Sequence, residues 1–93
     1  YRTGTRSRNP VMLAKIHVIL KQGVLDPQGK AVHHALSDLG YQEVRNVHLG
    51  KYMEIELEGL GEKEAEARVR DMCEKLLANT VIESYRFTLE SAK

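Results

Sequence analysis

The 93-residue chain has no tryptophan, one phenylalanine, one cysteine and two prolines, and its charges nearly cancel, with 14 Lys and Arg against 13 Asp and Glu. Each shortage excludes something. A lone Cys73 cannot form an intramolecular disulfide. No stretch reaches the roughly 18 apolar residues of a membrane span, and no secretory hydrophobic segment follows Met12. A cytoplasmic, reducing setting is the default. With so few aromatics, and none interleaved with basic residues, the stacking platform of an RNA-binding sheet has little to be built from. Nucleic acid and membrane are both poor partners for such a chain.

Residues 1–11, YRTGTRSRNPV, carry three arginines and almost no apolar periodicity. They read as an appended or disordered leader, with Met12 as the natural start and a single domain over residues 12–93. Without Arg2, Arg6 and Arg8 the count becomes 11 basic against 13 acidic, so the formal balance moves from +1 to −2. The mildly basic pI is then no argument for nucleic acid. A domain this small buries only about 60–70% of its unfolded surface, so a subunit contact adds useful stability.

From Met12 to Lys21 the even positions Met12, Ala14, Ile16, Val18 and Leu20 are apolar while Lys15, His17 and Lys21 fall between them, which predicts a strand with one buried face. Asp26-Pro27 marks a helix start, since aspartate accepts a free first-turn amide and proline is at home in the first helical position. Val32, Ala35, Leu36 and Leu39 recur at helical spacing and Gly40 supplies a left-handed stop, giving a helix over about Pro27 to Leu39. The segment EVRNVHLGKYMEIELEG predicts a hairpin at Gly50-Lys51, with Gly50 left-handed in a three-residue connection and Val47 opposite Met53. A longer amphipathic helix follows from Glu62 to Ala78, its apolar set being Ala65, Val69, Met72, Cys73, Leu76 and Leu77, with Glu62, Glu64 and Glu66 where the dipole favours them. In the last strand Tyr85, Phe87 and Leu89 alternate with Ser84, Arg86, Thr88 and Glu90.

Strand, helix, strand, strand, helix, strand is the α+β order of the ferredoxin-like plait: a four-stranded antiparallel sheet, β-α-β-β-α-β, with both helices on one face. The other face stays open. Leu13, Ile19 and Tyr52 lie there beside Lys15, His17 and Glu54, which makes that face or a sheet edge the place for self-association.

GVLDPQGKA, residues 23–31, looks like a phosphate loop and fails as one. Five residues rather than four separate Gly23 from Gly29, Ala31 stands where a Mg²⁺-binding hydroxyl belongs, and Pro27 lacks an amide. The free amides of Gln28 and Gly29 leave room for a weak anion contact at most. His34 and Asp38, four apart, are too few to hold a metal and read as a surface pair. His17 and His48 lie on different strands with no partner for catalysis. Cys73 falls in the apolar stripe of its helix and reads as a small core hydrophobe. The alternating glutamates of EIELEG read as a solvated strand face, and Lys63, Arg68 and Arg70 interleave with glutamates instead of forming a phosphate-tracking stripe. Spacing alone stops at a small plait domain that acts through partners.

The runs LKQGVLDPQGKAVHHALSDLGY, VRNVHLGKYMEIELE and MCEKLLANTVIESYRF resemble the PurS subunit family of phosphoribosylformylglycinamidine (FGAM) synthase, over nearly all of Met12 to Leu89. The most specific pieces are residues 23–29, Gly50-Lys51-Tyr52, and residues 73–79. Thr80 departs from the proline that the pattern usually has after Asn79. The resemblance implies a small non-catalytic subunit of a purine-biosynthetic ligase, working with a large ATP-dependent synthetase subunit (PurL) and a glutaminase subunit (PurQ). It implies that the ATP and Mg²⁺ sites belong to the synthetase, with no cofactor on this chain, and that the chain is a homodimer or homotetramer. From expected exposure, His17, Ile19 and Tyr52 are the candidates for self-association. Gly23, Val24, Leu25 and Asp26, with Gly50 and Lys51, are the candidates for partner contact. The rival reading is a stand-alone ligand- or RNA-binding regulatory plait.

Overall fold

The structure is a computed structural model that describes residues 11–92. The leader predicted over residues 1–11 falls outside the described residues except for Val11, which opens the first strand. The elements are β1 (Val11–Leu20), α1 (Pro27–Asp38), β2 (Gly50–Glu58), α2 (Glu62–Met72) and β3 (Glu83–Ala92). Both helices, β1 and the last strand lie close to where the sequence pattern puts them.

The strands form a three-stranded antiparallel sheet in the order β2-β1-β3. Ile16 sits opposite Met53 on one side and Phe87 on the other, so one register places Ala14, Ile16 and Val18 on an inner face with Met53, Ile55, Tyr85, Phe87 and Leu89. That face is the core. Ala14, Ile16 and Val18 are fully buried with Ala65, Val69 and Cys73 of the helical segment, and Leu57 and Ala78 close the cluster. No polar side chain is buried among the described residues. Two polar contacts join the helical segment to β3: the Tyr85 hydroxyl donates to Glu74 Oε2 at 2.7 Å, and the Arg70 guanidinium lies 5.3 Å over the Phe87 ring. At the sheet end Lys51 Nζ reaches Glu83 at 3.5 Å, tying β2 to β3 across β1.

α2 does not end as an α-helix. Residues Cys73–Leu77 form one π-helical turn, closed by the Ala78 amide donating to the Cys73 carbonyl at 3.1 Å. A wider turn needs about one more residue to come round. The predicted apolar stripe therefore slips: Cys73 and Ala78 point inward, whereas Leu76, placed in the stripe by its spacing, is 82% exposed.

The predicted hairpin is absent. Residues 44–49 form no strand, and Gly50 has no positive φ, so the left-handed connection and the Val47–Met53 pairing do not occur. Gly50 instead lies in the ladder opposite Ile19, where a Cβ would come within 2.7 Å of Ile19 Cγ2. Residues 44–49 are tied to α1: the Leu49 amide donates to Asp26 Oδ2 at 3.1 Å and the His33 ring nitrogen meets the Val44 carbonyl at 3.0 Å. Those bonds satisfy backbone groups that a fourth strand would have used on β2.

The second departure follows from the first. Among the described residues α1 makes no more than isolated contacts with the sheet or with α2, and none of Val32, Ala35, Leu36 or Leu39 belongs to the core or to the side chains packed on it. Residues 21–49 form an arm that leaves the sheet at Leu20 and returns at Gly50. A single helix, α2, covers the inner face. The radius of gyration of 17.6 Å compares with about 12 Å for a compact domain of this length.

Candidate functional site

The outer sheet face is built by the odd positions of β1. Leu13, Lys15, His17 and Ile19 alternate with the buried Ala14, Ile16 and Val18, and the register sets His17 between Tyr52 and Arg86, and Lys15 between Glu54 and Thr88. The His17 and Tyr52 rings meet with centroids 4.8 Å apart. Tyr52 donates its hydroxyl to Glu54 Oε2 at 2.7 Å, and this acceptor, more than desolvation, raises the phenol above its ordinary range. Lys15 Nζ lies 3.0 Å from Glu90 Oε2, and that hydrogen bond and charge raise the ammonium pKa. The result is a charged, mutually paired surface with one apolar end at Ile19, which is 52% exposed.

At that end His17, Ile19, Gly50, Lys51 and Tyr52 line a shallow groove of about 390 Å³. The three self-association candidates and the two residues read as a hairpin corner come together here. Ser84, Tyr85 and Arg86 complete the lining. Sequence reasoning left them out because it followed β1 and β2; once β1 is the central strand, the antiparallel register with β3 places Arg86 beside His17.

The loop candidates lie elsewhere. Gly23, Val24 and Asp26 line a second hollow of about 400 Å³ with Asn46, His48 and Leu49, and Ile19 borders both depressions. Gly23 takes φ 88°, which turns the chain out of β1. Asp26 is the fastener of this region: one carboxylate oxygen accepts from the Gly29 amide at 2.8 Å and the other from the Leu49 amide. Those two N–H groups, Gly29 first, hold its pKa below the usual 3.8. The weak anion contact foreseen at Gly29 is therefore taken by the chain's own carboxylate. Leu25 lines neither depression and is 67% exposed.

His34 and Asp38 form an exposed surface pair at 3.4 Å. Cys73 is buried, and desolvation first, with Glu74 second, raises its thiol pKa away from a reactive thiolate. Among the described residues no group of three or more His, Cys, Asp or Glu is placed to hold a metal ion. No described helix is long and apolar enough to cross a membrane. What the surface offers is shape, exposed apolar side chains and fixed charge.

A family model described as PurS, phosphoribosylformylglycinamidine (FGAM) synthase, matches residues 13–91. The chain belongs to the PurS family. Subunit PurS of phosphoribosylformylglycinamidine synthase from Bacillus subtilis is 54% identical over 76 residues, covering 82% of this chain and 89% of that one. The Archaeoglobus fulgidus PurS subunit is 45% identical over 74 residues, covering 80% and 92%. Among solved structures, B. subtilis PurS superposes with a TM-score of 0.77 at 52% identity, over 85% of this chain and 98% of its own. A chain from the structure of PurLQS from Thermotoga maritima superposes with a TM-score of 0.77 at 29% identity, over 89% and 99%. Coverage this high cannot leave out residues 21–49, so the arm is part of the length that these PurS chains share.

Proposed function

We propose that the chain is the small, non-catalytic subunit of a phosphoribosylformylglycinamidine synthase, bridging an ATP-dependent synthetase subunit, PurL, and a glutaminase subunit, PurQ. Its kinship to the B. subtilis subunit over most of both chains carries this reading, and the PurLQS neighbour names the kind of assembly. The assembly converts formylglycinamide ribonucleotide to the amidine, with ATP as energy source and ammonia released from glutamine. ATP and Mg²⁺ belong to the synthetase and the glutamine-cleaving nucleophile to the glutaminase. This chain binds no cofactor and works in the cytoplasm.

Its contribution is rigid placement. A three-stranded sheet with a dry inner face keeps its outer groove in a fixed shape, and a fixed surface loses little entropy on docking. The outer groove around His17, Ile19 and Tyr52 serves self-association into a dimer or tetramer. The loop from Gly23 to Asp26 and the neighbouring Gly50-Lys51 serve the larger subunits. The four-stranded ferredoxin-like plait, with two helices on one sheet face, belongs to the assembled state.

Reconstitution tests the role. Glutamine-dependent amidation by the two larger subunits should require this chain, while amidation from added ammonia should persist without it. Full glutamine-dependent activity in its absence would overturn the reading.

A further inference from the structure

The polar face of α1 is one wall of a cavity of about 460 Å³. Lys30, His33, His34 and Ser37 recur there at three- and four-residue spacing. That spacing puts them on the side of the helix opposite Val32, Leu36 and Leu39, so burial of the apolar stripe would still leave them open to solvent. Asn46 and Val47 form the second wall. It is pinned to the helix on both sides: His33 Nε2 meets the Val44 carbonyl at 3.0 Å, and Asp26 Oδ2 accepts from the Leu49 amide at 3.1 Å. Between those bonds the Val47 carbonyl crosses α1 at Gly29, where any Cβ would collide with it. The cavity is thus set by hydrogen bonds and by a glycine that permits the close approach.

Its lining is cationic and rich in donors. Lys30 is the formally charged residue of the lining, and no acidic residue belongs to it. Among the described residues no hydrogen bond or ion pair engages the side chains of Lys30, Ser37 or Asn46, which leaves an ammonium, a hydroxyl and an amide free to donate. The Val44 carbonyl can only accept, so His33 Nε2 carries a hydrogen and Nδ1 of the neutral ring is left as an acceptor. The acids of α1 and its cap are engaged elsewhere, Asp38 with His34 at 3.4 Å and Asp26 with the Gly29 and Leu49 amides. Because Asp26 takes the Gly29 amide, the end of the helix is closed to an anion and the side chains alone make the site. Separate donors around one ammonium suit a tetrahedral oxyanion with several acceptor oxygens. A planar carboxylate is better matched by the fork of an arginine, and none lines this cavity.

We propose that the cavity between α1 and residues 46–47 binds a phosphate monoester of a small hydroxylated molecule. The phosphate sits on Lys30 and Ser37 beside His34, and the hydroxylated body lies between the His33 ring and the Asn46 amide. None of the interface candidates except through its hydrogen bonds touches this cavity, and none lines it, so the site stands or falls apart from the bridging role.

Amide-resolved NMR on the full-length chain tests the site, with glucose 6-phosphate, inorganic phosphate and glucose as probes. Glucose 6-phosphate at millimolar concentration should shift the amides of residues 30–37 and 46–47 along saturable curves. Inorganic phosphate should shift the same amides with weaker affinity, and glucose should shift none. Lys30→Gln and Asn46→Asp should each weaken the sugar phosphate about tenfold. Both side chains are exposed, so circular dichroism should show the fold retained. Lys63→Gln, on α2, should bind like the parent. Inorganic phosphate binding as tightly as the sugar phosphate would make the free ion the occupant and overturn the monoester. Shifts that do not saturate, that fall outside these residues, or that weaken equally in Lys63→Gln would overturn the site itself.

Discussion

The body of the molecule, the sheet with α2, and the arm, residues 21–49, follow opposite rules. In the body the inner face is packed: Ile16 and Val18 of β1 with Val69 and Cys73 of the helical segment are fully buried, and no polar side chain is buried among the described residues. In the arm the apolar stripe of α1 lies outside that core, and the local structure is held by the polar bonds of Asp26 and His33. The body is stabilised by area removed from water; the arm is shaped by hydrogen bonds. An amphipathic pattern therefore marks an apolar face without placing it in the core.

The contrast can be broken most sharply in the core. Ile16→Ala should lower the unfolding free energy by about 2–5 kcal/mol, read as a urea midpoint shift, whereas Leu25→Ala in the arm should stay within about 0.5 kcal/mol of the parent. Equal losses would erase the distinction. A smaller effect is expected at the base of the arm. Because the folded pKa of Asp26 is depressed, its contribution is fully present above the usual 3.8 and is lost as pH falls through the lower folded value. An NMR titration should show the Gly29 and Leu49 amide protons moving together with a midpoint below 3.8, and Asp26→Asn should abolish that shared step while leaving the core resonances in place. Loss of the core resonances would mean that arm and body fold as one unit. The least effect belongs to the outer face: Tyr52→Phe should leave thermal unfolding unchanged and remove one late-titrating phenol from an alkaline absorbance titration. Two tyrosines, Tyr52 and Tyr85, are raised by glutamate acceptors, so one such phenol should remain.

The sequence was legible where pattern and packing coincide, in the body. Alternation in β1 and β3 identified their inner residues, and Asp26, Pro27 and Gly40 bounded α1 to within a residue. It misled at Leu76, because a π-turn breaks the 3.6-residue spacing on which the stripe was drawn. It misled again at Gly50, where glycine was read as a turn and serves a close approach to the Val18 carbonyl and the Ile19 side chain. Of the candidate interface residues, His17, Ile19 and Tyr52 were legible as one surface, since a strand fixes which face a side chain takes, whereas Gly50 and Lys51, read as a hairpin corner, join them only in the structure. Those on the Gly23–Asp26 loop were not, because only the Asp26–Leu49 bond, spanning 23 residues, decides what lies opposite them. Arg86 needed the strand order before it could join the site.

The ladder partner of Ile19 is Gly50. Antiparallel partners lie about 5 Å apart, so the whole arm begins and ends across a gap that a two-residue turn could span. In design terms it is a cassette seated on a finished hairpin: its length, its charge and the surface it reaches can all change without moving a single core contact of the body that carries it.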